Sequence, residues 1–284
     1  MPMPPLAGEP RPRWFGNSIA FEDYSLEQAL ALMREAGFTG VEMWKPHLRR
    51  CRTAALRERF RDQARELGLA LGGLNAVGEA YFQPFGGDRE REETLRGLCG
   101  DIDYALSLGV RDVLIWEGVK PSGLNSEAVR ERLLPPLLEL FRSVLRYAEP
   151  RGARLLIEPH PFTVGMDDRL LISLFDQLDS ECFGITYDFC HYGVGRPDDY
   201  IQAVSKLGRR IRHIHFADSD QRSSELHFAP GDGCMDLAGL LAAFQKIPYD
   251  GTITLDLYGN PMPIAAAQRG IPRLREACQR LGIS

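Results

Sequence analysis

Short runs rich in Val, Ile, Leu and aromatic residues alternate eight times along this chain with longer amphipathic stretches. Strand patterns fall near residues 14–20, 39–44, 69–75, 111–116, 154–159, 183–189, 211–217 and 252–258. Apolar residues recur at helical spacing over about 25–36, 53–67, 90–108, 126–150, 168–179, 198–207, 236–246 and 264–281. The stretch SLEQALALMREAG illustrates the helical signal: Leu26, Ala29, Leu30, Met33 and Ala36 share one face, Ser25 offers an N-cap, and Gly37 ends the run. Similar glycine stops stand at 68, 109, 152, 208 and 282. Eight strand-helix units in strict alternation predict a (β/α)8 TIM barrel, one domain over 14–284 preceded by a flexible arm at 1–13. An open doubly wound sheet would more often carry a Gly-rich first turn, and WFGNSIAFED contains no G-x-G-x-x-G.

Composition narrows the classes. A chain of 284 residues, 44% of them apolar, can bury the core of one such barrel. Its net charge of −5 argues against a nucleic-acid or anionic-membrane partner, because phosphates reward clustered Lys and Arg. No apolar run approaches membrane-span length, and prolines in MPMPPLAGEPRPR stand where a signal peptide would be apolar. Six scattered cysteines without a C-x-x-C pair fit reduced thiols rather than a disulfide framework or a thiolate zinc site. A cytoplasmic protein is expected.

Chemistry concentrates at the ends of the last four strand patterns. LLIEPHP presents Glu158, FGITYDFCH Asp188, IRHIHFAD His215 and TITLDLYG Asp256, with spacings of 30, 27 and 41 residues. Three carboxylates and an imidazole suit one divalent ion (Mn, Mg or Co, with Zn also accepted), and separate strand ends converge only if the sheet closes. Any one of these residues could instead cap a helix or sit satisfied in a core; four in register on successive strands point to a site. In HIH, residues 213 and 215 share a face. His215 lies nearer the rim and is assigned to the metal, which leaves His213 as a hydrogen-bonded residue deeper in the barrel. The earlier strands add Glu42, Trp44 and Lys45, then Asn75 and Glu79, then Trp116 and Glu117, as candidate pocket residues. His160 is pinned between two prolines at the rim, while His191 could orient Asp188 or meet a substrate oxygen. His227 stands before a turn, where a substrate contact or a second metal competes with loop packing. Phe162, Trp44, Trp116 and Phe189 suggest an apolar wall. Two long loops, 77–90 and 219–235, are expected to act as lids.

The set IEP, YDFCH, HIHFAD, PGDGCMDLAGLL and YDGTITLDLYG, with GVEMW in the second strand, resembles the xylose isomerase-like sugar phosphate isomerase/epimerase superfamily. The resemblance implies that Glu158, Asp188, His215 and Asp256 bind one divalent ion. It makes His191 a substrate-contacting residue and places Arg222 one residue from an arginine that grips substrate oxygens. Asp256 departs from the usual Glu. The implied activity is isomerisation or epimerisation of a sugar or cyclic polyol through an enediolate. Glu158 would act as base, and Asp256 or His191 would return the proton. Glu42, Trp44, Trp116, His160, Arg222 and His227 would contact substrate. Dehydration of the inosose or dehydroshikimate type is the alternative, followed by a non-catalytic metal- and sugar-binding barrel. An endonuclease IV-like phosphodiesterase would use Glu225, His227 and His191, but it needs histidines after strands two and three, where the chain offers only His47. The family pattern also implies a homodimer.

Overall fold

The computed structural model describes residues 14–282; the arm expected at 1–13 lies outside the described residues. Eight parallel strands follow one another round a closed barrel: β1 (Phe15–Asn17), β2 (Gly40–Trp44), β3 (Ala70–Asn75), β4 (Asp112–Ile115), β5 (Arg154–Ile157), β6 (Phe183–Asp188), β7 (Ile211–Phe216) and β8 (Thr252–Leu255). The surrounding helices are α1 (Leu26–Ala36), α2 (Ala54–Glu66), α3 (Asp88–Ser107), α4 (Ser126–Ala148), α5 (Asp168–Leu178), α6 (Phe189–Gly195), α7 (Tyr200–Leu207), α8 (Leu237–Phe244) and α9 (Pro263–Arg280). Local chemistry sets their starts. Ser25 and Gln28 form a reciprocal capping box on α1, while Thr53, Asn125 and Asp167 cap α2, α4 and α5. The buried faces of these helices and the outward faces of the strands share one continuous apolar core.

Several strands stop earlier than their sequence patterns. β1 ends at Asn17, whose side chain caps a short 3-10 turn over Ser18–Phe21. The pattern at 183–189 ends as strand at Asp188, because the Asp188 side chain accepts the His191 N–H at 2.7 Å and starts the extra helix α6. Glu158 and Asp256 likewise fall one residue beyond β5 and β8. The stops at β1, β5, β6 and β8 leave Asn17, Glu158, Asp188 and Asp256 at the barrel mouth.

The segment after β8 is stitched to the long loop after β7: His227 N–H donates to the Tyr258 carbonyl at 2.9 Å, and Asn260 Nδ2 to the His227 carbonyl at 3.0 Å. Gly259 makes this approach feasible with φ of +69°, and a Cβ there would run into the Glu225 carbonyl oxygen. Gly259→Ala is expected to destabilise the protein by about 1–3 kcal/mol. A chemical-denaturation midpoint unchanged from wild type would contradict this. Among the described residues, no helix is long and apolar enough to cross a membrane.

A candidate metal centre in the barrel mouth

The closed sheet brings Glu158, Asp188, His215 and Asp256 together: one potential ligand atom from each lies within 4.8 Å of the others, and all four residues are buried. Asp188 and His215 are direct register partners on β6 and β7. His215 Nδ1 is 2.6 Å from Glu158 Oε1, 3.3 Å from Asp256 Oδ2 and 3.5 Å from Asp188 Oδ2. Three buried carboxylates at this separation repel one another, so the arrangement calls for positive charge. His215 Nδ1 and Asp188 Oδ2 make no directed hydrogen bond. These two orphaned atoms, with Glu158 and Asp256 completing an O/O/N/O set, fit a divalent cation held by the four residues. A further set, Asp188, His191 and His227, also clusters within 4.8 Å.

Behind His215 lies a hydrogen-bonded support. Its Nε2 meets Glu42 Oε1 at 3.0 Å, while Glu42 Oε2 meets His213 Nε2 at 2.8 Å, and His213 Nδ1 reaches Thr252 Oγ1 at 2.6 Å. Asn75 Nδ2 also donates to Glu42 Oε1, at 3.1 Å. Glu42 was expected to contact substrate, and the structure corrects this: it lies two residues deeper than Trp44 on the same strand face, fully buried, and its carboxylate is consumed by the two imidazoles and Asn75. Burial disfavours the Glu42 charge, but the His215 and His213 rings outweigh it and hold the carboxyl well below its usual pKa. With its Nε2 turned to Glu42, His215 directs Nδ1 at the three carboxylates. His213 takes the deeper, hydrogen-bonded position that its place in the strand predicts.

Above this centre opens a cavity of about 400 Å³, within the range of about 300–1,000 Å³ common for small-molecule sites. Glu158, Asp256, His160, His191 and His227 line it together with Trp44 and Trp116. His160 Nε2 contacts Glu225 Oε1 at 2.9 Å, and its ring packs beside Trp116 with centroids 5.4 Å apart. Burial lowers the pKa of both His160 and His191 to about 4, so both rings are neutral near pH 7. His227 Nδ1 lies 3.6 Å from Asp256 Oδ1. Burial opposes a charge on His227, but Asp188 and its other neighbours raise its pKa well above the usual value.

Other expectations are corrected. Arg222 does not line the cavity, because Asp220 accepts the Arg222 and Ser223 N–H groups, each at 2.9 Å, in a turn on the exposed rim; Glu225 and His227 reach the cavity instead. Phe189 belongs to the core, packed on Phe216 and Phe244, rather than to the pocket wall. Lys45 turns aside to Asp101 at 2.7 Å and Glu79 at 3.4 Å. His47 hydrogen-bonds Ser18 and the Phe21 carbonyl, away from the converging carboxylates. Conversely, Asn17, Arg49 and Tyr258 line the cavity without having been singled out. Asn17 carried the same signal as the ligands, a polar residue at a strand end, whereas Arg49 sits in an irregular turn that no periodicity marks. A wider groove of about 840 Å³ between α4, α5 and α7 contains none of the converging ligands.

Glu117 is buried behind the wall. It accepts the Gly165 N–H, and its Oε2 has no partner. Burial, reinforced by the Glu158 charge and only partly offset by hydrogen bonds from Thr163 and Gly165, pushes its pKa up to about 7. The folded state therefore favours neutral Glu117. This contribution, about 3 kcal/mol, is full below pH 4.5 and is lost as pH rises through about 7. Glu117→Gln is expected to remove that part of the pH dependence between pH 4.5 and 7, read from denaturation of the metal-free protein; an unchanged slope would count against it.

A closed eight-stranded parallel barrel with a cluster of possible metal donors and a cavity of small-molecule size at its C-terminal mouth has the architecture of a TIM barrel. A family model described as xylose isomerase-like TIM barrel matches residues 30–277, and the chain belongs to that family. The chain is 26% identical to an uncharacterised protein of Methanocaldococcus jannaschii in a match covering 60% of this chain and 58% of that protein. It is 26% identical to fructoselysine 3-epimerase of Shigella flexneri over 88% of this chain and 92% of the relative. An inosose dehydratase of Histophilus somni is 21% identical, covering 90% of this chain and 91% of the relative. Among solved structures, a D-tagatose 3-epimerase-like protein shares the fold with a TM-score of 0.76 at 20% identity, over 95% of this chain and 98% of that one.

Proposed function

We propose that this protein is a divalent-metal-dependent isomerase or epimerase of a sugar or cyclic polyol, with Glu158, Asp188, His215 and Asp256 holding Mn, Mg, Co or Zn. The observation that carries the reading is the buried O/O/N/O donor set opening directly into a cavity of small-molecule size. The metal, when bound, supplies Lewis-acid polarisation of neighbouring substrate oxygens. Glu158 takes the proton from a carbon beside a carbonyl, and the substrate becomes an enediolate. The near neighbours of the Glu158 carboxylate are His215 Nδ1 at 2.6 Å and His191 Nδ1 at 3.9 Å. His191 Nδ1, 3.9 Å from Glu158 Oε1 and without a hydrogen-bond partner, is placed to pass a proton as a neutral imidazole. Proton return to the opposite face gives the epimer; return to the adjacent carbon gives the isomer. Trp44, Trp116 and His160 shape the sugar site, His227 borders it, and Asp188 holds the N-terminus of α6 and so places His191.

Dehydration is the second reading, supported by the inosose dehydratase relative. There Glu158 would take the same proton, and a hydroxide would leave from the next carbon with that proton relayed through neutral His191, forming a C=C bond and water and restoring the Glu158 carboxylate. The test is solvent-deuterium incorporation, followed by NMR, with Mn-loaded protein and a panel of ketoses, inososes and dehydroshikimate. Incorporation beside a carbonyl is expected and should vanish with EDTA and return with Mn. The product separates isomerase, epimerase and dehydratase. Stoichiometric metal with no incorporation across the panel would favour a non-catalytic sugar-binding barrel.

A further inference from the structure

The three carboxylates facing His215 are not held alike. Asp188 accepts the His191 N–H at 2.7 Å. Asp256 is held at both oxygens: Oδ1 accepts the Tyr258 N–H at 3.0 Å, and Oδ2 accepts Asn17 Nδ2 at 2.9 Å. That same Oδ2 lies 3.3 Å from His215 Nδ1, so the Asn17 amide meets the oxygen aimed at the shared centre. Glu158, by contrast, meets only the rings of His215 and His191.

Asn17 is well placed for this task. Closure of the barrel pairs Gly16 with Leu255, which brings the next residues, Asn17 and Asp256, side by side. The Asn17 Oδ1 accepts the Ile19 N–H at 3.1 Å, and this bond fixes which end of the amide faces Asp256. Asn17 is 1% exposed, so its contact is shielded from water. An aspartate has one torsion fewer than a glutamate, so the Asn17 amide on Oδ2, with the Tyr258 N–H on Oδ1, sets where its carboxylate points.

We propose that Asn17 is a positioning residue of the metal centre. Its amide holds Asp256 as a ligand and leaves Glu158 as the carboxylate free to carry the proton. The inference rests on the metal-centre reading above. Two variants separate this role from the turn that Asn17 also caps. Asn17→Ser keeps a hydroxyl able to accept the Ile19 N–H but too short to reach Asp256, whereas Asn17→Ala keeps neither function. The probe is Co(II), titrated into metal-free protein, with affinity and the visible d–d absorption read together. Both variants are expected to bind Co(II) on the order of 10–100-fold more weakly and with an altered d–d band, and Asn17→Ser should melt closer to wild type than Asn17→Ala. Wild-type affinity and an unaltered band in Asn17→Ser would overturn the proposal, leaving Asn17 with the turn alone. Failure of the unsubstituted protein to take up Co(II) would overturn the metal centre itself, and the role of Asn17 with it.

Discussion

Glu158→Gln is expected to slow solvent-deuterium incorporation into substrate by about 10²–10⁴-fold at saturating Mn, with the fold retained. The amide has the shape of the carboxyl group but cannot take a proton from carbon. The contacts the substitution alters are those to the His215 and His191 rings, at 2.6 and 3.9 Å. Because the Glu158 charge helps hold buried His215 protonated, the metal-free variant should melt at or below the wild-type temperature. Wild-type incorporation by this variant would assign the proton transfer to another group.

His215→Ala should abolish metal uptake and also destabilise the metal-free protein, by about 3–5 kcal/mol. Burial disfavours a charged His215, but Glu42 and Glu158, with Asp188, overcome it and raise the pKa well above the usual 6.5. Charged His215 in turn neutralises part of the carboxylate cluster, and alanine leaves those carboxylates facing one another. Because the folded-state pKa is raised, this contribution is fully present below pH 6.5 and is lost as pH rises through the folded value. Metal-free wild type should therefore lose its advantage over His215→Ala only at pH values above 6.5. Equal stability of the two proteins at pH 6, measured by denaturant unfolding, would contradict this account, and retained metal uptake by calorimetry would remove His215 from the centre.

The eight-unit alternation was legible because burial on both sheet faces writes itself into local periodicity, and each helix carries its own cap and stop. The four metal candidates were legible for a related reason: a polar side chain at the C-terminal end of an otherwise apolar strand has few structural uses. The extra helix α6 escaped because its signal is one aspartate capping a short apolar stretch that reads equally well as strand. Glu42 and Arg222 were placed wrongly for want of depth: alternation tells which face a residue occupies, not how far below the rim it sits, and the turn made by Asp220 carries no periodic trace.

From the sequence alone came the parallel barrel, the donor types and their place at successive strand ends, all properties of neighbouring residues. Tertiary structure alone decided which of those groups support one another. Glu42 meets His213 and His215, and Asn17 meets Asp256 across 239 residues of chain. Such contacts exist only once β1 closes onto β8, because closure fixes depth, register and the direction of each hydrogen bond between strands that carry no local record of one another.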